Sequence, residues 1–155
     1  MRLPPTLLAA LAVAAPVVAA CGGDGTSKED FAKDVNAICK DIEGRFQRIG
    51  RQQARTPAQA QRQLTQVENE AKSAISRLSD VEKPGGDDGD KAEELVDTLD
   101  EQVSGELLPA IRDLREAIRD RDRRAVQKAL RSLRSVDESK TNRLARELGA
   151  DECAG

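Results

Sequence analysis

Residues 28–51 read KEDFAKDVNAICKDIEGRFQRIGR, and their apolar members are Phe31, Val35, Ile38, Ile42, Phe46 and Ile49. Spacings of four and three lay these side chains in one stripe along an α-helix of 3.6 residues per turn. Ser27 stands before the run and Asp30 three residues on, close to a capping box. Cys39 lies beside the stripe, between Ile38 and Ile42, so its sulfur can reach a neighbouring element. A helix with one long apolar stripe must bury it against other helices or a sheet.

The same period recurs downstream. A second segment, Thr56 to about Glu82, carries Ala60, Leu64, Val67, Ala71, Ala74 or Ile75, Leu78 and Val81, with Thr56 as N-cap and Pro57 at the first helical position. A third, Asp90 to Asp120, carries Leu95, Leu99, Val103, Leu107, Ile111, Leu114 and Ile118; Gly105 and Pro109 inside it predict a kink. A fourth, Asp122 to Leu148, carries Val126, Leu130, Leu133, Val136, Leu144 and Leu148, with Gly149 as its C-cap. Lys140 interrupts that last stripe, and a snorkelling stem accounts for it. Lys83 to Gly89 reads as a break. The acid-rich Asp87-Asp88-Gly89-Asp90 within it misses the calcium-loop pattern, because Gly89 and Ala92 stand where oxygen ligands are needed, so a disordered loop is expected. No segment alternates like a strand. The expected fold is all-α, an antiparallel up-down four-helix bundle about 35–45 Å long, over residues 28–155.

The first twenty residues are of another kind. Arg2 is their only charge, an apolar run spans Leu7 to Val18, and Ala19 and Ala20 follow. This is the order of a secretory signal peptide, too short for a spanning helix between Pro4, Pro5 and Pro16. Val18-Ala19-Ala20-Cys21 resembles the bacterial lipobox, which implies that Cys21 takes a diacylglyceryl group and becomes the mature first residue. Residues 1–20 are then a lipoprotein signal peptide and 21–27 a lipidated cysteine with a glycine-rich tether. The alternatives are a cleaved secretory protein with an incidental Cys21, or an uncleaved anchor. Assigning Cys21 to lipid leaves Cys39 and Cys153, an even pair suited to an oxidising compartment. Either they form a disulfide or they are unrelated thiols, one buried and one at a frayed end. For the bridge to close, a tail leaving beside the start of helix one must fold back about 17 Å along it.

Composition excludes whole classes of function. The chain carries 25 basic and 28 acidic groups, a net charge of −3, and loses one more positive charge with Arg2. That argues against nucleic-acid binding, which needs a basic excess. There is no His, Trp or Tyr, and Phe31 and Phe46 are the only aromatics. His-based triads and His-ligated metal sites are therefore excluded, and no metal or cofactor is expected. The numerous carboxylates fall between the stripes, where a solvated face explains them better than a catalytic dyad. Charge is segregated along the chain: residues 80–106 hold eleven acids against Lys83 and Lys91, while residues 112–134 hold nine basic residues against four acids. Arg119, Arg121, Arg123 and Arg124 cluster at one turn, a candidate contact for an anionic partner, with ordinary solubilisation as the plainer account.

The lipobox, the run Phe31-Ala-Lys-Asp-Val-Asn-Ala-Ile-Cys39-Lys and the ending Leu148-Gly-Ala-Asp-Glu-Cys153-Ala together resemble small lipoproteins common in actinobacteria. That resemblance implies a structural Cys39–Cys153 disulfide. The type has no established activity, so no functional residue carries over. The expected function is that of a non-catalytic interaction or envelope-structural module, lipid-anchored on the extracytoplasmic face of the cell membrane. Its partner would be an anionic envelope component or another envelope protein. The alternative is a binder of a small apolar ligand, which needs a lined cavity of several hundred Å³ in the bundle.

Overall fold

The computed structural model describes residues 25–154, and every regular element among them is helical. Helices α1 (Lys28–Arg51), α2 (Pro57–Ser79), α3 (Gly86–Gln102), α4 (Leu108–Asp120), α5 (Arg123–Arg134) and α6 (Ser139–Leu148) follow in order. A π-turn at Val103–Leu107 joins α3 to α4, and a 3₁₀ turn at Asp151–Cys153 ends the chain. They form a helical bundle in which α1 packs on α2, α2 on α4, α3 on α6, and α4 on α5.

The starts of α1 and α2 are written in polar side chains. Ser27 Oγ accepts from the Asp30 N–H at 3.1 Å. Thr56 and Gln59 form a reciprocal capping box, with Pro57 at the first position of α2. Thr26, assigned to the tether, makes an isolated parallel bridge with Pro84 and so holds the start of α1 beside the start of α3. Lys28 pairs with Asp88 at 3.2 Å across the same end.

Three expectations need correction. Residues 86–90 are not a disordered loop: they are the first turn of α3. Gly86 turns the chain in with a φ of +64°, and Asp87 and Asp88 favour the positive end of the helix. Gly89 lies so close to the Pro84 carbonyl that a Cβ there would collide with it. Second, α2 ends at Ser79 instead of Glu82. Third, the fourth segment is two helices. Ser135 Oγ donates to the Ser132 carbonyl at 3.0 Å, while one Asp137 oxygen accepts from the Ser139 N–H at 3.0 Å and its hydroxyl at 2.6 Å. These local bonds replace the helical ladder between α5 and α6. Lys140 therefore sits in the first turn of a new helix, paired with Glu94 of α3 at 2.9 Å.

The expected irregularity near Gly105 and Pro109 takes the form of the π-turn. A proline ring collides with the carbonyl four residues back and has no N–H to give it. Here that carbonyl belongs to Gly105, and the backbone widens so that the Leu108 N–H reaches Val103 O.

The tightest core lies toward the start of α1, where Phe31, Val35, Leu78, Ala92, Leu95, Leu144, Ala145, Leu148 and Ala150 are buried together. The tail does fold back along α1. Gly149, left-handed at φ +78°, ends α6 against Ala32. Asn36 then grips both sides of the turn, its Nδ2 donating to Gly149 O at 2.9 Å and its Oδ1 accepting from the Glu152 N–H at 2.8 Å. Cys39 and Cys153 are disulfide-bonded, their Cα atoms 5.4 Å apart across a sequence separation of 114.

Candidate functional site

The second half of α1 keeps its stripe but has no full-length fourth helix opposite it. α6 covers α3 and the first half of α1, whereas α5 leans on α4 and the π-turn. The break at residues 135–138 therefore leaves a cleft of about 630 Å³ along α1. Its floor is apolar, with Ile42 and Phe46 facing Ile75 of α2, Leu99 of α3, and Val103 and Leu107 of the π-turn. The half-cystines and Ala154 close one end. A second cleft of about 500 Å³ shares Phe46 and Leu107 with the first and continues past Ile49, Leu64 and Ile118. Phe46 and Ile42 are only half-buried, so the stripe is covered on one flank and open on the other.

Polar groups stand at the rim. Gln102 is the most engaged: its Nε2 donates to Asp137 O at 2.6 Å and its Oε1 accepts from the buried Thr141 hydroxyl at 2.9 Å. This side chain fastens the π-turn to the break between α5 and α6. Glu43, Glu138, Asp151 and Glu152 also line the rim, and none of them forms an ion pair among the described residues.

Ion pairs clamp the helices from outside the cleft. Asp41 accepts from Arg77 at 2.6 Å and Arg45 at 3.1 Å, and Arg45 reaches on to Glu70 at 3.3 Å, joining α1 to α2. Hydrogen bonds from Arg77, then Arg45, hold the Asp41 carboxyl below its usual pKa. Glu68 accepts from Lys72 at 2.7 Å and Arg115 at 3.0 Å, joining α2 to α4, and is lowered chiefly by the Lys72 bond. Asp137 is lowered by its bonds from Ser139. A general acid needs a carboxyl raised toward neutrality. All three perturbed carboxyls move the other way, as structural clamps do.

Of the residues singled out in the sequence, Cys21 lies outside the described residues. Cys39 and Cys153 meet in the bridge that ends the cleft. Arg119, Arg121, Arg123 and Arg124 surround the turn between α4 and α5 and are exposed. Arg119 is taken up by Glu116 at 2.9 Å and Asp120 at 3.0 Å. Asp122 caps α5 by accepting from the Arg124 and Ala125 N–H groups. Arg121, Arg123 and Arg124 form no ion pair among the described residues. Among those residues no helix is long and apolar enough to cross a membrane.

The sequence offers a cavity in the bundle only as an alternative; its place along α1 and the roles of Asn36 and Gln102 come from the structure. The gap of eight between Val136 and Leu144, spanning Asp137 and Lys140, was the signal for a break and hence for an open flank. No family model, curated protein or solved structure matches the chain, which leaves its own geometry as the ground for a functional reading.

Proposed function

We propose that the protein is a lipid-anchored extracytoplasmic lipoprotein whose bundle is a non-catalytic binding module, and that the cleft beside the Cys39–Cys153 bridge takes a small apolar ligand. The observation that carries this reading is the apolar space itself. About 630 Å³ lies within the range of small-molecule sites, where Leu and Ala stripes ordinarily close up. The reading of Cys21 as the lipidated residue, of residues 1–20 as a signal peptide and of a small actinobacterial-type lipoprotein is supported by the lipobox and the two chain ends. An antiparallel up-down path is supported by where ends meet: Thr26 beside Pro84, and Gly149 beside Ala32.

The test is titration of the full chain with the neutral fluorophore N-phenyl-1-naphthylamine. Saturable binding is expected, weakened at least tenfold by Ala74→Phe, which places a ring into the cleft, or by Ile75→Trp should the first variant misfold. Equal binding by a folded, filled variant overturns the cleft assignment. For the anchor, Cys21→Ser should abolish metabolic lipid labelling; unchanged membrane retention of a correctly cleaved variant overturns it. A second reading, contact with an anionic envelope component, is favoured by the unpaired, exposed Arg121, Arg123 and Arg124.

A further inference from the structure

We infer that the ligand of the cleft is a cationic amphiphile, an apolar chain ending in a protonated amine. This rests on the cleft being a ligand site and adds the ligand's charge. The floor is mainly apolar, with Ile42 and Phe46 on a stretch of about 12 Å of α1 from Cys39 to Gln47 at 1.5 Å per residue. The rim carries charge of one sign. Glu43 on α1, Glu138 at the start of α6, and Asp151 and Glu152 on the tail approach the mouth from three elements, and no Lys or Arg lines it. On α1 and α2, Arg45 and Arg77 are held by Asp41 and Glu70.

A carboxylate head would face this rim without a cationic partner and with like charges around it. An ammonium head meets a rim of carboxylates that have no ion-pair partner among the described residues, Glu43 accepting from Gln47 Nε2 at 2.8 Å. The surface acids elsewhere do not compose such a site, because no apolar floor lies beneath them.

The experiment uses the full chain and three probes of equal length: octylammonium, octanoate and octanol. Methyl NMR shifts at Ile42, Ile75 and Val103 report binding in the cleft and nowhere else. Octylammonium is expected to bind at least tenfold more tightly than octanoate, with octanol between them. The combined change Glu43→Gln, Glu138→Gln, Asp151→Asn and Glu152→Gln should erase that ratio while leaving octanol binding and the methyl spectrum in place. If all three probes bind alike in the wild type, the charge assignment fails and the apolar site stands. If none shifts those methyls, both fail.

Discussion

Asp41 shows how one side chain holds two helices and reports on pH. Its carboxylate accepts from Arg77 of α2 and Arg45 of α1, and those bonds favour the charged form. A carboxyl with a lower pKa folded than unfolded adds stability above its unfolded pKa. That contribution is lost as pH falls through the folded value. Glu68 and Asp137 are lowered as well, so the three act in the same direction. Stability should therefore be level from neutral pH down to about 5 and decline below about 4, where ordinary carboxyls begin to protonate. Removing the leading cause on one of them, by Arg77→Gln, should move the Asp41 titration up toward the usual aspartate value. Carboxyl NMR titration checks this, and an Asp41 curve that stays in place would mean that Arg45 alone holds it.

Among the elements, the break between α5 and α6 decides more than any helix does, because it opens the cleft. Gln102 is its fastening, bonded to the Asp137 carbonyl on one side and the Thr141 hydroxyl on the other. Gln102→Ala should destabilise the fold by about 1–2 kcal/mol, since Thr141 is buried and loses its acceptor. Hydrogen exchange should quicken over residues 135–141 and stay slow in α1 and α2; uniform change would place the effect in global unfolding. The legible and illegible parts divide along the same lines. Apolar periods of three and four revealed the buried faces of α1 to α4 and α6, but not that of α5, where Leu130 of the stripe is exposed and Ala129 is buried; Pro109 revealed the irregularity, because a proline's effect is local and steric. Val136 keeps the period, so the stripe passed through a break made by the hydrogen bonds of Ser135 and Asp137. Gly86 and Gly89 read as helix breakers, yet Gly86 supplies the positive φ that turns the chain into α3, and the missing Cβ of Gly89 lets that helix start against Pro84. The cleft depends on α5 choosing α4 over α1, a competition between faces that no single stripe records.

At the scale of the molecule the packing is uneven, and the disulfide sits where it changes. One half, from Phe31 and Val35 to Leu144 and Leu148, is closed; the other keeps Ile42, Phe46, Leu64 and Val67 only half-buried around open space. Cys39 lies on α1 at the boundary, and Cys153 brings the tail there as the end wall of the cleft. A bridge spanning 114 positions restricts most of the unfolded chain, and bridges of this kind contribute about 2–4 kcal/mol. Reduction should then lower Tm by about 10 °C, given the few degrees per kcal/mol typical of a domain this size. It should not unfold the protein at 25 °C. Asn36 still grips Gly149 and Glu152, and Ala150 remains buried, so the tail is held as far as residue 152 by contacts that need no sulfur. Beyond that point the bridge reinforces the 3₁₀ bonds from the Cys153 N–H to Ala150 O at 3.0 Å and from the Ala154 N–H to Asp151 O at 3.1 Å, and it ties this end of the chain to α1. Cys39→Ser with Cys153→Ser should accordingly match the reduced protein in Tm and bind an apolar probe more weakly, while the Asn36 amide signals stay where they are. Calorimetry with side-chain NMR of the oxidised and double-serine forms decides the matter. A loss of the Asn36 signals together with the bridge would show that the sulfur link, and not the asparagine, brings the tail home.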